Sequence, residues 1–139
     1  MRVKEFLKES VAQIPHEKVM VSDRFRDDAG QAIPFELRAL SQKEITVIEE
    51  SAIIRRVGKN GEAEVRFEDL DYSVGLIAAS CVVPNFRDPA LQENWGARDE
   101  KDLVRKMLLA GEFHRLDQAV KKICGFGYRL GAMKNQVKK

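Results

Sequence analysis

Two histidines, His16 and His114, are the side chains in this sequence best suited to move protons near neutral pH. A general base needs a partner that tunes it, and neither residue has one nearby in the chain. His16 follows Pro15 in a connecting segment, where a solvated surface histidine is the plainer reading. His114 falls near the start of a helical pattern, with no serine or cysteine in a recognisable motif beside it. Cys81 sits among Ala79, Val82 and Val83, an apolar setting that suits packing and disfavours a thiolate. Cys124 follows Lys121 and Lys122, which would favour a thiolate, but a helix-end cysteine packed under Phe126 is the simpler account. Two thiols this far apart make neither a disulfide framework nor a metal site.

The acids Glu68, Asp69 and Asp71 lack the oxygen spacing and central glycine of a calcium loop, and helix capping explains them better. Gly125, Gly127 and Gly131 neither follow a strand nor open a helix, so they form no phosphate loop. Arg24, Arg26 and Arg38 lie close to Phe25 and Phe35, a superficial basic-aromatic platform for nucleic acid. Asp23, Asp27, Asp28 and Glu36 interleave with them, which favours a cross-strand, ion-paired solvent face. The expectation is a protein without catalytic apparatus, cofactor or metal, acting by binding another protein.

The elements that position these residues belong to a chain of one domain's size, 139 residues. Lysine and arginine number 24 against 22 acids, and the signs are interspersed, which does not favour nucleic acid as a partner. The only uncompensated basic run is Lys134 to Lys139. A charged N-terminus without an apolar core and the absence of a stretch of about 20 apolar residues lead us to expect a cytoplasmic protein that does not engage a membrane.

Val3, Phe6, Leu7, Val11 and Ile14 follow a helical spacing that Pro15 ends, so residues 1–17 read as a helical arm. The period then changes to two. Val19, Val21 and Phe25, and after them Ile33, Phe35, Leu37 and Ala39, form a β-hairpin whose reversal lies in Arg26–Gln31. Pro34 places its strand at an edge, or marks the strand's first residue. The Val19–Val21 edge could pair two copies or be covered, so a homo-oligomer is an open expectation. Ser41 and Glu44 make a capping box for a helix carrying Ile45, Ile48 and Ala52. Residues 53–67 continue that helix or form a second hairpin about Asn60-Gly61; both readings stand.

Leu70 to Val83 reads as a central buried helix stopped by Pro84. Asp88 and Pro89 open a short helix that Gly96 ends. Asp99 caps another, with Leu103, Val104, Met107 and Leu108 inward. The last helix runs from Glu112 to Cys124 with Phe113, Leu116, Ala119, Val120 and Ile123 inward. The predicted class is α+β: an N-terminal antiparallel β-hairpin packed on a mainly helical bundle of about five helices. That unit spans 18–126, followed by a flexible basic tail, 127–139.

Four segments, in order, carry a resemblance. They are Val21-Ser22-Asp23-Arg24-Phe25 with Gly30 and Ile33 to Ser41; Leu76 to Phe86 with Leu91-Gln92 and Trp95-Gly96; Lys106 to Phe113; and Ile123 to Phe126. Together the chain resembles the XkdN-like tail assembly chaperones of contractile-tailed phages and PBSX-type prophages of Gram-positive bacteria. Phe113, Trp95 and Cys124 depart from the residues usual in that family at these places.

The resemblance implies a chaperone that binds the long, helix-rich tape measure protein and keeps it soluble for tail tube assembly. It implies absence from the finished particle, the tail tube protein as a further partner, and a longer frameshifted form of the chain itself. The lysine-rich end from Met133 to Lys139 fits a slippery coding site. The alternative is a structural tail or connector component retained in the particle. A holdase must cover apolar helical stripes, and helix-in-groove binding is the expected mode. Trp95, Phe86, Leu91 and Met107 are the candidate contacts, because aromatics and methionine favour anchors and adaptable surfaces.

Overall fold

The computed structural model describes residues 3–126; the expectations for the basic tail and for Gly127 and Gly131 lie outside the described residues. Its elements in order are β1 (Glu17–Val19), β2 (Phe35–Leu37), α1 (Gln42–Ser51), β3 (Ile53–Val57), β4 (Ala63–Phe67), α2 (Asp69–Ser80), β5 (Cys81–Val83), α3 (Pro89–Asn94), α4 (Glu100–Met107) and α5 (Ala110–Ile123). The class is α+β, with the expected hairpin and helices.

Helix α2 is apolar nearly all round, so it has to be surrounded, and every residue from Ser73 to Ser80 is buried. Helices α1, α4 and α5 pack against it. Gly75 permits the α1 approach: a Cβ there would stand 2.7 Å from Ile48 Cγ2. The polar Ser80 is fully buried and satisfied, its hydroxyl donating to the Arg38 carbonyl at 2.7 Å.

The expected run to Val83 ends as a helix at Ser80, and Cys81–Val83 continues as strand β5. Two adjacent valines favour the pleated conformation, and the residue before Pro84 is pushed out of the helical region. Periodicity could not reveal the switch, because buried helix and buried strand both read as unbroken apolar sequence. Strand β5 makes β2 the centre of an antiparallel sheet of order β1-β2-β5. Pro34 therefore stands just before the strand rather than on an edge. Phe35 and Leu37 enter the core from one face of β2.

Between β1 and β2 the chain leaves the ladder at Met20 and returns through a small turn. Arg26 bridges Ala32, Asp27 Oδ1 accepts the amides of Ala29 and Gln31, and Gly30 adopts φ +78°. The capping box at α1 forms as expected, and Asp88 and Asp99 cap α3 and α4. Residues 53–67 are a hairpin, β3 against β4, turning through Gly58–Gly61. The helix expected over 2–14 is present only as a 3-10 turn at Lys4–Phe6, with its apolar residues exposed. So short a helix is marginal in water without a surface to cover its stripe.

One ion pair ties the excursion from the hairpin to the helices. Arg24 Nε donates to Glu112 Oε2 at 2.8 Å and Nη2 to Glu112 Oε1 at 2.6 Å. The same Nη2 donates to the Met107 carbonyl at 2.9 Å, and the Leu109 amide donates to Glu112 Oε1 at 2.8 Å. The Arg24 pairing leaves the Glu112 carboxyl at a pKa of about 2, well below the usual carboxylate range. The expected cross-strand ion-paired face does not form. Arg24 reaches α5, Arg38 pairs with Glu44 at 2.6 Å, and Arg26 donates to the Gly30 carbonyl.

Gly75→Val should lower unfolding stability by about 1–3 kcal/mol through overpacking against Ile48. The loss should be less than additive with Ile48→Ala, as chemical denaturation of the four variants will measure. Arg24→Ala should lower stability at pH 7, because it leaves the Glu112 carboxylate buried without its cation. The Glu112 pKa is depressed on folding, so its stabilisation is complete above about pH 4.5. It declines as pH falls and is gone below about 2. The gap between wild type and Arg24→Ala should therefore close across that window in pH-dependent denaturation.

Candidate partner-binding surface

Two clefts open near the Arg24–Glu112 pair: Arg24 lines the wider one, and its partners Phe25 and Met107 line the other. The first is wholly apolar, about 190 Å³, and is lined by Phe25, Ile33, Pro34, Phe35, Val83, Pro84 and Met107. Phe25 and Phe35 form its back wall, their rings tilted with centroids 5.3 Å apart. Val83 and the cis-linked Pro84 come from the end of β5, and Met107 from the last turn of α4.

The second cleft is wider, about 490 Å³, and mixed in character. Met20 and Leu109 are exposed apolar residues on its wall, beside Asp23, Arg24, Glu112 and Arg115. Arg115 Nη1 donates to the Val21 carbonyl at 2.7 Å, a second tie between the excursion and α5. Arg24, which lines the wider cleft, lies over the ring of Phe25, which lines the apolar one, at 4.8 Å. The surface thus offers one dry pocket for an apolar side chain, with a partly charged trough alongside it.

The four sequence-predicted contacts scatter. Phe86 is fully buried in the core, so it has no surface to offer in this conformation. Met107 is buried but lines the apolar cleft. Leu91 is partly buried against the core. Trp95, at the C-cap of α3, is 38% exposed and stands before Gly96 at φ +65°. The structure brings none of the other three to Met107's cleft as lining residues. What the sequence reading missed were Phe25, Ile33, Pro34, Phe35, Val83 and Pro84. Their signal was present, since they lie within the quoted segments, but Phe25, Ile33 and Phe35 read as the inner face of a hairpin, and Val83 and Pro84 as the end of a buried helix.

The histidines, the cysteines and the acids of Glu68–Asp71 line neither cleft. His16 is exposed, with Nδ1 3.9 Å from Glu36 Oε1, and His114 is exposed on α5. Burial pushes the Cys81 thiol up to about 12. Cys124 Sγ accepts the Leu40 amide at 3.3 Å, and Phe126 is exposed. Asp71 binds Lys101 and Arg105 of α4 instead of serving only as a helix-start acid. Among the described residues, no cluster of three or more histidine, cysteine or acidic side chains could hold a metal, and no helix is long and apolar enough to cross a membrane.

Comparison with known proteins places this architecture. Residues 3–138 match the family model described as phage XkdN-like tail assembly chaperone protein. The phage-like element PBSX protein XkdN of Bacillus subtilis (strain 168) is 29% identical over 126 residues, covering 87% of this chain and 82% of that protein. An uncharacterized protein of the same organism, YqbN, is 26% identical over 97 residues, covering 68% of this chain and 63% of YqbN. The crystal structure of the protein YqbN shares the fold, with a TM-score of 0.77 at 19% identity, covering 91% of this chain and 98% of that one. This chain belongs to the XkdN-like phage tail assembly chaperone family.

Proposed function

We infer that the protein is a non-catalytic holdase for the phage tape measure protein, acting in the host cytoplasm and absent from the finished particle. The observation that carries this reading is the dry cleft of Phe25, Ile33, Pro34, Phe35, Val83, Pro84 and Met107. A helix-rich client exposes apolar side chains at one face, and a cleft of this size receives one such anchor. Met20 and Leu109 extend the apolar contact beyond Arg24, while Arg115 and Asp23 suit the polar flank of an amphipathic helix. Met107 adds a side chain that adapts to different anchors along a long client. Trp95 and Leu91 serve as a second contact on α3, with Trp95 the larger contributor. The tail tube protein and a longer frameshifted form of this chain are further partners in this reading.

Co-expression with the tape measure protein tests the reading. Wild type should move the client into the soluble fraction. Ile33→Glu and Val83→Glu place a charge in the dry cleft and should return most of the client to the pellet, with the chaperone's own melting curve little changed. Trp95→Ala should give a smaller loss. A client that stays as soluble with the cleft variants as with wild type would refute the assignment of the cleft. Mass spectrometry of purified tails should find this chain absent; its stoichiometric presence would support a structural component instead.

A further inference from the structure

The β3–β4 hairpin is a two-stranded sheet of its own. It meets the rest of the fold at its base, where the Phe67 ring packs on Tyr72 of α2 with centroids 5.4 Å apart, and it makes little backbone contact with other elements among the described residues. Two strands alone are marginal in water. Its strands pair Ile53 with Phe67, Arg55 with Val65 and Val57 with Ala63 on one face, and Ile54 with Arg66 and Arg56 with Glu64 on the other. Val57, Val65 and Phe67 are exposed, Val65 at 66%.

The backbone fixes which groups the free edge of β4 presents. The Gly58 amide donates to the Glu62 carbonyl and the Glu68 amide to the Ala52 carbonyl, so the even-numbered residues form the hydrogen-bonded pairs. The N–H and C=O groups of Ala63, Val65 and Phe67 therefore point away from β3, toward whatever lies alongside. An antiparallel copy of β4 centred on Val65 meets all of them. Val65 faces its own symmetry mate, Ala63 faces Phe67, and each of these pairs exchanges two N–H···O bonds. The same register sets Glu64 opposite Arg66 of the other copy, twice by symmetry. Arg66 already holds Glu68 of its own chain at 2.6 Å, so it would stand between two carboxylates.

The neighbouring registers centred on a charged residue put like charges together. Centring on Glu64 or Arg66 sets that residue against itself in the closer, non-hydrogen-bonded pair. The edge of β3 carries Arg55 and Arg56 with no acid in the strand, so pairing it with itself brings Arg55 against Arg55. We propose that β4 is a self-recognition edge, through which two copies of this chain join their hairpins into one four-stranded antiparallel sheet. The contact closes on a two-fold axis and leaves the basic β3 edges outside, where they discourage further addition. This assignment does not depend on the client reading above.

Sedimentation velocity of the full chain over a concentration series should show a monomer–dimer equilibrium. Val65→Pro removes an N–H that the hairpin does not use and should abolish the dimer while circular dichroism stays that of the wild type. Glu64→Arg alone and Arg66→Glu alone should each weaken the dimer about tenfold or more. An equimolar mixture of the two single variants should restore it as a heterodimer, and the double variant E64R/R66E should restore it as a homodimer. A wild type that stays monomeric throughout would overturn the proposal, the edge then being left to a client strand or to the N-terminal arm. Larger polymers, or dimers indifferent to Val65→Pro and to the charge exchange, would overturn it equally.

Discussion

A carboxylate buried away from water is tolerable only when both oxygens are satisfied and a cation stands beside it, and Glu112 imposes that constraint on this fold. Arg24 meets it with both arms of its guanidinium, and the Leu109 amide supplies a further donor. The position of Glu112 in the first turn of α5 adds the favourable end of the helix dipole. Because Arg24 also binds the carbonyl that ends α4 and covers Phe25, one planar group joins the hairpin excursion, α4 and α5. A lysine could hold the charge but not this fork of contacts. One cleft is lined by that group itself, and the other by Phe25 and Met107, which it touches.

The same geometry explains why residues distant in the chain belong to one surface. The segments around Val21–Phe25, Ile33–Phe35, Val83–Pro84 and Met107–Glu112 each contribute to a cleft wall. Those are largely the segments by which the sequence resembles the XkdN-like chaperones. The core would hold without an open cleft: α2 is enclosed by α1, α4 and α5, and its packing does not require Ile33 or Val83 to be accessible. The accessible dry pocket, whose floor includes the core residues Phe35 and Met107, is the feature on which the proposed binding reading rests.

The α+β class, the first hairpin, the capping box at Ser41 and the starts of α3 and α4 were legible because each rests on local rules of capping, turn chemistry and period. Residues 53–67 were undecided because Ile53 to Val57 suits helix or strand, and only the turn about Asn60-Gly61 tips the balance. Strand β5 was hidden inside continuous apolar sequence. The arm over 2–14 has the spacing of a helix but no surface to stabilise it. The clasp was illegible for a different reason: Arg24 and Glu112 are 88 residues apart, and nearer acids made cross-strand pairing the natural guess. Of the surface, Met107 was named for its softness. Phe86 was drawn to the core by the size that made it a candidate anchor, and the remaining cleft residues become a site only when β5 turns beside β2.

The most direct test of the clasp is the titration of the Glu112 carboxyl itself, followed by carbon-detected NMR of the folded protein. The account predicts that Glu112 stays ionised until the pH approaches about 2. A midpoint near the ordinary glutamate value of about 4.3 would mean that Arg24 does not hold it, and the shape of both clefts would need another explanation.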